Sequence, residues 1–381
     1  MKEKQNLIVY IAVVVLTILF IIVGNQVTKF TATENYVDDY FKAKIVAIES
    51  SNTDEMIIEG MPDPLRTTTI EFSAEILSGD LKGEVVNATQ TYDNMTSIQP
   101  EEVQINDKIL MHEQAQMDGS TGVYIFADYL RSDNLIGLVM LFLVLIVLFG
   151  RFKGVSTVIS LAATCLILFM VYVPGIIKGY NIYMLTTVVS TYIIFMNLIL
   201  INGLSKKTWC AIFGNVSGVV AAGIVTILMT NALRLTGFVD TDSGMLISIN
   251  PENPIDLIAV MWASVIIGSL GAIMDIAMTI ASALQEVSEH MHVKNFKRLF
   301  DSGMNIGRDA VGTMTNTLIL AYIGSALTTV LLLVSSNKNI LLLFNLEMIA
   351  MEILQGVVGS IGILLAIPLT SVISAYLYSR E

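Results

Sequence analysis

The stretch that decides the fold is PIDLIAVMWASVIIGSLGAIMDIAMTIASAL, residues 254–284, which is apolar almost throughout yet carries Asp275. A helix of this length crosses the hydrocarbon core of a bilayer, which is about 30 Å thick and needs about 20 apolar residues. The rest of the chain agrees, since 54% of its residues are hydrophobic, 14% are charged and its mean hydropathy is +0.70. We therefore predict an α-helical polytopic membrane protein.

Further apolar segments predict about eight membrane spans in total. The first, residues 7–24, follows the basic residues Lys2 and Lys4, and its length favours an uncleaved signal anchor over a signal peptide that is removed. The other spans are expected at 135–150, 155–173, 182–201, 209–233, 254–284, 310–334 and 352–378.

The spans divide the chain into three parts, which are a signal-anchor helix at 1–29, a polar domain at 30–133 and a transmembrane domain at 134–381. The polar and basic segment 284–309 is expected to form a cytoplasmic helix and loop. The stretch 339–378 is too long for one span, so we predict an interfacial helix near 340–351 before the last span.

The polar domain has the pattern of a small β barrel. Segments rich in β-branched and aromatic residues alternate with breaks that contain Gly, Asn, Asp and Pro. The predicted strands lie in 41–50, 67–77, 84–93, 107–114 and 121–130. Five short strands in about 100 residues fit an extracytoplasmic barrel of the OB or SH3 type, inserted between the first and second spans.

The charge distribution predicts the orientation in the membrane. Basic residues of short loops favour the cytoplasmic side, and most of them share one side if the N-terminus is inside. Both termini are then cytoplasmic, and the chain is a multi-pass protein of the cell membrane whose spans contact lipid. The formal net charge is -12 and acidic residues dominate the polar domain, which argues against nucleic acid or anionic lipid as the partner of that domain.

Asp275 is the central candidate for chemistry. Helical spacing aligns it with small and polar residues, whereas the opposite face holds Ile266, Ile273, Ile276 and Ile280. The aligned residues are Ser264, Gly268, Gly271, Thr279, Ser282 and Glu286. An ionised aspartate at membrane depth costs about 3 kcal/mol, so the carboxyl must be neutral, paired or hydrated. Proton or ion coupling and a structural hydrogen bond to a neighbouring helix are both compatible with this pattern.

The next predicted span offers partners for Asp275. Thr313 and Asn316 share a face of that span, and they could hydrogen-bond the carboxyl if this face meets the face of Asp275. Arg308 and Asp309 lie at the cytoplasmic end of the same span. Together with Glu286 on the preceding span, they are candidates for a gate or lip, with ordinary helix-end positions as the alternative.

Two glutamates, Glu347 and Glu352, interrupt the apolar stretch before the last span. Glu352 aligns with Gly356 and Gly359, a stripe of small residues of the kind that packs membrane helices together. Both glutamates are candidates for the same ion or proton path, with a plain interfacial position as the alternative.

Glycine-rich faces mark where helices can approach closely. The candidates are Gly268 and Gly271 beside Asp275, and Gly214, Gly218 and Gly223 on an earlier span. Such faces serve either internal packing or self-association into a homo-oligomer, and the sequence leaves both open.

No signature of an enzyme, a cofactor site or a metal site is found in the sequence. Phosphate-binding loops, nucleophile elbows and zinc-protease motifs are missing. Cys165 and Cys210 lie in or beside spans and are interpreted as small core residues. His290 and His292 alternate along the chain and would point apart on a helix, so we predict no metal site.

Three stretches resemble the YibE/F-like family of multi-span membrane proteins. They are GSLGAIMDIAMTIASALQEV (268–287), NIGRDAVGTMTNTLILAYIG (305–324) and NLEMIAMEILQGVVGSIGILLAIPLT (345–370). The resemblance covers residues 30–378 and implies a permease or transport component. The order of an outside domain, an aspartate-bearing span, a cytoplasmic helix and a Thr/Asn-bearing span is more distantly similar to RND permeases and SecD/SecF. That similarity implies a proton-coupling role for Asp275, although fold alone does not establish function.

Two hypotheses of function follow. The first is a permease or transport component for an unknown small solute or ion, coupled to protons or ions through Asp275, with a cavity lined by Thr313, Asn316 and Glu352. The second is a non-transporting accessory or envelope-assembly protein, whose outside domain binds an envelope protein. The polar stripe within an apolar helix favours the first.

Overall fold

A computed structural model describes residues 2–29, 40–57, 64–95, 100–114, 123–239, 241–249, 254–291, 294–335 and 339–380. Several parts of the predicted polar domain therefore lie outside the described residues, namely 30–39, 58–63, 96–99 and 115–122. The chain divides into two compact units, of which one is Ala32–Leu145 and the other combines Met1–Thr31 with Ile146–Glu381.

The smaller unit contains a closed five-stranded barrel. Its strands are β1 Tyr40–Met56, β2 Leu65–Ile76, β3 Val85–Asp93, β4 Lys108–Gln114 and β5 Val123–Tyr129. Their order around the barrel is β1-β2-β3-β5-β4, and every neighbouring pair is antiparallel except β3 and β5, which are parallel. Each predicted strand corresponds to an observed one, which confirms a small sheet domain near the N-terminus.

The barrel closes around inward-pointing apolar side chains, because alternate residues of a strand face the same side. Ile45, Phe72, Ile109 and Met111 are fully buried at its centre. β1 pairs with β2 along most of its length and with β4 near its start. Two register shifts within β1 have the character of β-bulges, which bend a strand and allow one strand to serve both neighbours.

The larger unit is helical. Its elements, including one helix that begins in the smaller unit, are α1 Lys2–Thr28, α2 Ser132–Ile167, α3 Val173–Ile177, α4 Ile182–Asn202, α5 Lys206–Ala232, α6 Thr241–Ile249, α7 Leu257–His290, α8 Phe296–Ser325, α9 Leu327–Ser335, α10 Ile340–Asn345 and α11 Glu347–Ser379. A π-helical segment, Leu168–Tyr172, joins α2 to α3. α11 packs against α5, α7 and α8, and α7 also packs against α4 and α5. These packed helices form the core that positions the candidate site.

Ion pairs join the barrel to the first turn of α2. The carboxyl oxygens of Asp133 lie 3.4 Å from Nζ of Lys42 on β1 and 3.4 Å from Nζ of Lys108 on β4. An acidic residue in the first turn also interacts favourably with the positive end of the helix dipole. The two lysines and the dipole together define where the helix starts.

Six helical segments among the described residues are long and apolar enough to cross a membrane. They are Ile8–Thr28, Ser132–Ile177, Ile182–Asn202, Lys206–Leu233, Leu257–His290 and Glu347–Ser379. A soluble protein does not expose several such segments, so the chain is a multi-pass membrane protein by length and composition of its helices.

Two of the predicted spans, 135–150 and 155–173, fall within one helical stretch that is sharply bent. Arg151 has φ 50° and ψ -128°, outside the helical region. Beyond it, a Cβ on Gly154 would clash with the backbone of Ile146 and Val147. Eight residues along a straight helix would place those positions about 12 Å apart. The chain therefore turns back on itself at the basic segment between the two predicted spans.

The predicted span 310–334 is divided between α8 and α9. Ala326 ends α8, and its N–H donates to the carbonyl oxygen of Tyr322 at 3.0 Å. Among the described residues, α8 is not one of the six apolar segments, because its first half carries charged side chains such as Asp301 and Arg308. Its apolar face packs on α7 and α11 instead.

The connections around α8 and α10 also differ from the predictions. A helix and loop was expected at 284–309, but α7 extends to His290 and α8 starts at Phe296. An interfacial helix was expected near 340–351, but α10 ends at Asn345 and α11 begins at Glu347. Polar residues continue a helix beyond its apolar part, so composition locates a span better than it locates a helix end.

Candidate functional site

α7 carries Asp275 and starts at a well-defined cap. The side chain of Asp256 accepts a hydrogen bond from the N–H of Ala259 at 3.1 Å, which satisfies one of the free donors of the first turn. From this point the helix runs without interruption to His290. The position of Asp275 along the membrane part is therefore set by a regular helix.

The aliphatic and polar residues of α7 lie on opposite faces of the helix, as the sequence pattern predicts. Ile266, Ile273, Ile276 and Ile280 are at most 1% exposed and pack in the core. The opposite side is the surface of the described chain, and its exposed residues are Gly268, Gly271, Asp275, Thr279 and Glu286. The sequence left open whether the aliphatic side of α7 contacts lipid or the protein core. In the structure, this side packs in the core. The polar stripe faces outward.

α8 lies beside α7 and runs antiparallel to it. Near one end, Gly268 of α7 faces the hydroxyl of Tyr322 on α8; near the other, a Cβ on Gly303 of α8 would lie 2.9 Å from Leu284 on α7. Interpolation between these contacts places Asp275 at the level of residues 312–316 of α8. Thr313 and Asn316 are exposed there, as is Gly312.

The carboxyl of Asp275 has no hydrogen-bond partner among the described residues. The expected bonds from Thr313 and Asn316 are not formed within the chain, since the hydroxyl of Thr313 donates to the carbonyl oxygen of Ala310 at 3.0 Å. The physical reason is that these side chains point outward from their own helices rather than into the seam between them. The polar groups lie at one level and each is exposed, but they do not enclose a cavity among the described residues.

Glu352 lies in a different place from Asp275. It lines a groove of about 200 Å³ between α11 and the end of α8, whose other walls are apolar apart from Tyr322. Ile319, Ile323 and Val330 are among these walls. Among the described residues, Asp275, Thr313 and Asn316 do not line this groove, so the predicted cavity that joins them to Glu352 is not seen there.

Glu347 forms a structural clamp. Its carboxylate accepts hydrogen bonds from the N–H groups of Thr236 and Gly237, each at 2.6 Å, and from the hydroxyl of Thr236 at 3.0 Å. These bonds attach the loop after α5 to the start of α11. Gly237 has φ 86°, a left-handed conformation that presents its N–H toward the carboxylate at little steric cost.

Glu347→Gln is expected to lower the stability of the fold by about 2 kcal/mol, because hydrogen bonds to a charged acceptor are stronger than those to an amide. Thermal unfolding of the purified protein in detergent measures the change. A melting temperature equal to that of the wild type would contradict the clamp. Glu289→Gln, at an exposed position of α7, is the matched control.

The predicted lip residues are spread along exposed helix surfaces. Arg308 donates to the side-chain oxygen of Asn305 at 3.3 Å, and Asp309 is exposed beside it. The carboxylate of Glu286 lies 3.9 Å from Nδ1 of His290. No group of three or more potential ligands in the described ranges could hold a metal ion, and His292 falls outside those ranges.

The predicted packing glycines have different surroundings. Gly359 is tightly packed, since a Cβ would lie 2.8 Å from Leu318 and 3.3 Å from Ser269. Gly356 has looser neighbours, and Gly271 has no atom within 4 Å of a Cβ among the described residues. Gly359 therefore serves internal packing, whereas Gly271 is open to the exterior.

The glycine face of α5 packs internally against α7 and α11. A Cβ on Gly218 would lie 2.7 Å from Ile273 and 2.9 Å from Ala366, and Gly214 faces Thr370 in the same way. The sequence left open whether this face serves self-association or internal packing. In the structure, it serves internal packing.

Buried polar side chains of α5 and α11 were missed by the sequence analysis, and one of them, Ser371, lies against Gly303 of α8. Asn215 on α5 and Thr370, Ser371 and Ser374 on α11 are fully buried, and their side-chain polar atoms have no hydrogen-bond partner among the described residues. Each is an ordinary small polar residue of an apolar helix. Their burial could have been predicted only with knowledge of which helix faces pack together.

Apolar helices that pack through glycine seams and a polar face that carries a carboxyl define a polytopic helical membrane protein. The sequence model of the YibE/F-like protein family matches residues 138–380, and the chain belongs to this family. Comparisons with curated proteins and with solved structures give no match.

Proposed function

We propose that this protein is a permease or transport component of the cell membrane, in which Asp275 couples movement of a small solute or ion to protons or another ion. The observation that carries the proposal is the exposed polar stripe of α7, where the carboxyl of Asp275 lies at the level of an exposed amide and exposed hydroxyl groups of α8. Such a surface suits a hydrated or protein-covered path and not contact with lipid tails.

Asp275 has the chemistry that coupling requires. A carboxyl in a partly dehydrated site changes between a neutral and a charged form as it binds and releases a proton or binds a cation. The carboxyl is free of hydrogen bonds to described residues, so a proton or ion does not compete with a structural bond. Thr313 and Asn316 supply oxygens and donors at the same level.

The proposed orientation follows the basic loops, with both termini in the cytoplasm and the barrel outside. The strand order of the barrel and its parallel β3–β5 pair support an OB-type assignment. Barrels of this type bind ligands on an exposed face, so the domain is suited to contact the transported solute or an envelope partner. None of its roles requires a cofactor or an enzymatic step.

The test is flux in liposomes that contain the purified chain and an entrapped pH-sensitive dye. Gradients of protons, Na⁺, K⁺ and Mg²⁺ are imposed one at a time on liposomes with the wild type, with Asp275→Asn and without protein. The proposal expects a dye response for at least one gradient that depends on the wild-type protein and on Asp275.

A wild type that moves none of these ions would count against coupling. The accessory hypothesis has its own signature: the outside domain, secreted without the membrane helices, would then restore the phenotype of a deletion strain. If that domain suffices and the wild type gives no flux, the membrane helices are an anchor and the transport proposal fails.

A further inference from the structure

We infer that the groove between α8 and α11 is a binding site for a small organic cation, and that the carboxylate of Glu352 is the group that pairs with its charge. We call it the α8–α11 groove and define it by Ile319, Tyr322 and Ile323 on α8 and by Glu352, Ile353 and Gly356 on α11. The inference concerns binding, so it does not depend on the proposed function.

The α8–α11 groove holds one carboxyl among apolar walls. Of its described lining residues, only Glu352 and Tyr322 have polar side chains, and the hydroxyl of Tyr322 lies against Gly268 of α7. Glu352 is half-buried, and its carboxyl makes no hydrogen bond or ion pair with a described residue. An ionised carboxylate in such surroundings is costly unless an opposite charge lies beside it, and a bound cation supplies that charge.

The apolar walls decide which kind of cation fits. Mg²⁺ and Ca²⁺ are bound by about six or more oxygen ligands, whereas this groove offers a single carboxylate. A lipid tail would cover the apolar walls but would leave the carboxylate without a counter-charge. An ammonium group on an apolar body meets both needs, because the head pairs with Glu352 and the body contacts the isoleucines. The ring of Tyr322 adds an aromatic wall, and aromatic rings attract cations that reach their faces.

The volume of the groove, about 200 Å³, limits the size of the cation. A cavity of about 150 Å³ takes one benzene ring, so this groove suits one ring or a short alkyl chain. Gly356 keeps the space free, since a Cβ there would lie 3.8 Å from Tyr322 and 4.0 Å from Ile319. A larger side chain at this position would occupy the place of the ligand.

The end of α8 favours the same sign of charge. The N–H of Ala326, a lining residue, donates to the carbonyl oxygen of Tyr322 at 3.0 Å, and the N–H of Val330 donates to that of Ala326 at 2.9 Å. The carbonyl oxygens of residues 323–325 between them accept no such bond from the described backbone. These free carbonyl groups form the negative end of the helix dipole, which stabilises a nearby cation.

The position of Glu352 along α11 makes the groove accessible. α11 begins at Glu347, and five residues further along a helix correspond to about 7.5 Å. The carboxylate therefore lies near one end of this apolar segment and not at its centre. An organic cation can reach it from the water or headgroup region without crossing the hydrocarbon core.

The test measures binding of tritiated benzyltrimethylammonium to the purified chain in lipid nanodiscs, with the signal of empty nanodiscs subtracted. This probe has one ring and one permanent positive charge, and saturable binding to the wild type is expected. Neopentylbenzene has nearly the same shape, with carbon in place of the charged nitrogen. It should displace the probe at least about tenfold less effectively, because a charge-assisted contact contributes that factor or more.

Three variants locate the site. Glu352→Gln keeps the shape of the side chain and should weaken binding at least about tenfold, with an unchanged melting temperature because the carboxyl bonds to no described residue. Gly356→Leu fills the groove and should abolish binding. Glu289→Gln, at an exposed position of α7, is the matched control that binds as the wild type does.

Three results would overturn the inference. They are no binding to the wild type above empty nanodiscs, equal affinity of the wild type and folded Glu352→Gln, and equal displacement by neopentylbenzene. The last result would identify the groove as a slot for neutral apolar molecules such as lipid tails.

The two proposals fail separately. Cation binding at Glu352 without any ion flux would refute the transport proposal and leave this site intact. Ion flux that depends on Asp275, from a chain that does not bind the probe, would refute the site and leave the transport proposal intact.

Discussion

Asp275→Asn is expected to lower ion flux in liposomes by about 100-fold, near the lower end of what a positioned proton-transferring side chain contributes. Asparagine has nearly the shape of aspartate but cannot bind or release a proton and carries no charge. Since the carboxyl makes no hydrogen bond to a described residue, the fold does not depend on it. The amount of folded protein in the membrane should therefore equal that of the wild type.

Two further variants make this result specific. Asp301→Asn changes the same chemical group at another exposed position, in α8, and should leave flux at the wild-type level. Asp275→Glu keeps a titratable carboxyl and should retain part of the flux. Equal flux in wild type and Asp275→Asn, with equal protein in the liposomes, would refute a coupling role for this carboxyl.

Gly218→Val is expected to destabilise the helical bundle by about 3 kcal/mol, at the upper end of the usual cost of overpacking. The first added carbon already lies 2.7 Å from Ile273, 2.9 Å from Ala366 and 3.1 Å from the carbonyl oxygen of Gly362. The third of these neighbours is backbone and cannot rotate away. Because folded proteins are stable by only about 5–15 kcal/mol, this loss is large.

The measurement is the yield of monodisperse protein after detergent extraction together with its melting temperature. Gly137→Val is the matched control, because nothing lies within 4 Å of a Cβ at that position among the described residues. The control should melt as the wild type does. If Gly218→Val also melts at the wild-type temperature, α5 and α11 are not as close as the structure places them.

Local pattern was sufficient to predict much of the fold. The barrel strands and the apolar helices appear in the sequence as period-two and helical patterns, which depend on neighbours along the chain. The bend at Arg151 lies in the basic segment predicted between two spans. The break at Ala326 was not expected, because Gly324 and Ser325, which precede it, also occur within continuous membrane helices as small packing residues.

The candidate site shows the limit of such patterns. Helical periodicity established that Asp275 and Ile273 belong to opposite faces of one helix. It could not establish which face is buried, since in a bilayer both core and lipid accept aliphatic side chains. The same ambiguity applied to Gly218, whose small size suits a partner helix from the same chain or from another copy.

By itself, the sequence determined that this is a multi-pass membrane protein with a small sheet domain and a carboxyl-bearing stripe on one helix. Hydropathy and periodicity are properties of single segments, so they can be read without knowing the neighbours. Only the tertiary structure decided that the stripe of α7 is exposed, that Glu352 lies in a separate groove and that α5 and α11 share a glycine seam. These depend on how each helix is rotated against the others, and side chains far apart in the chain set that rotation by packing.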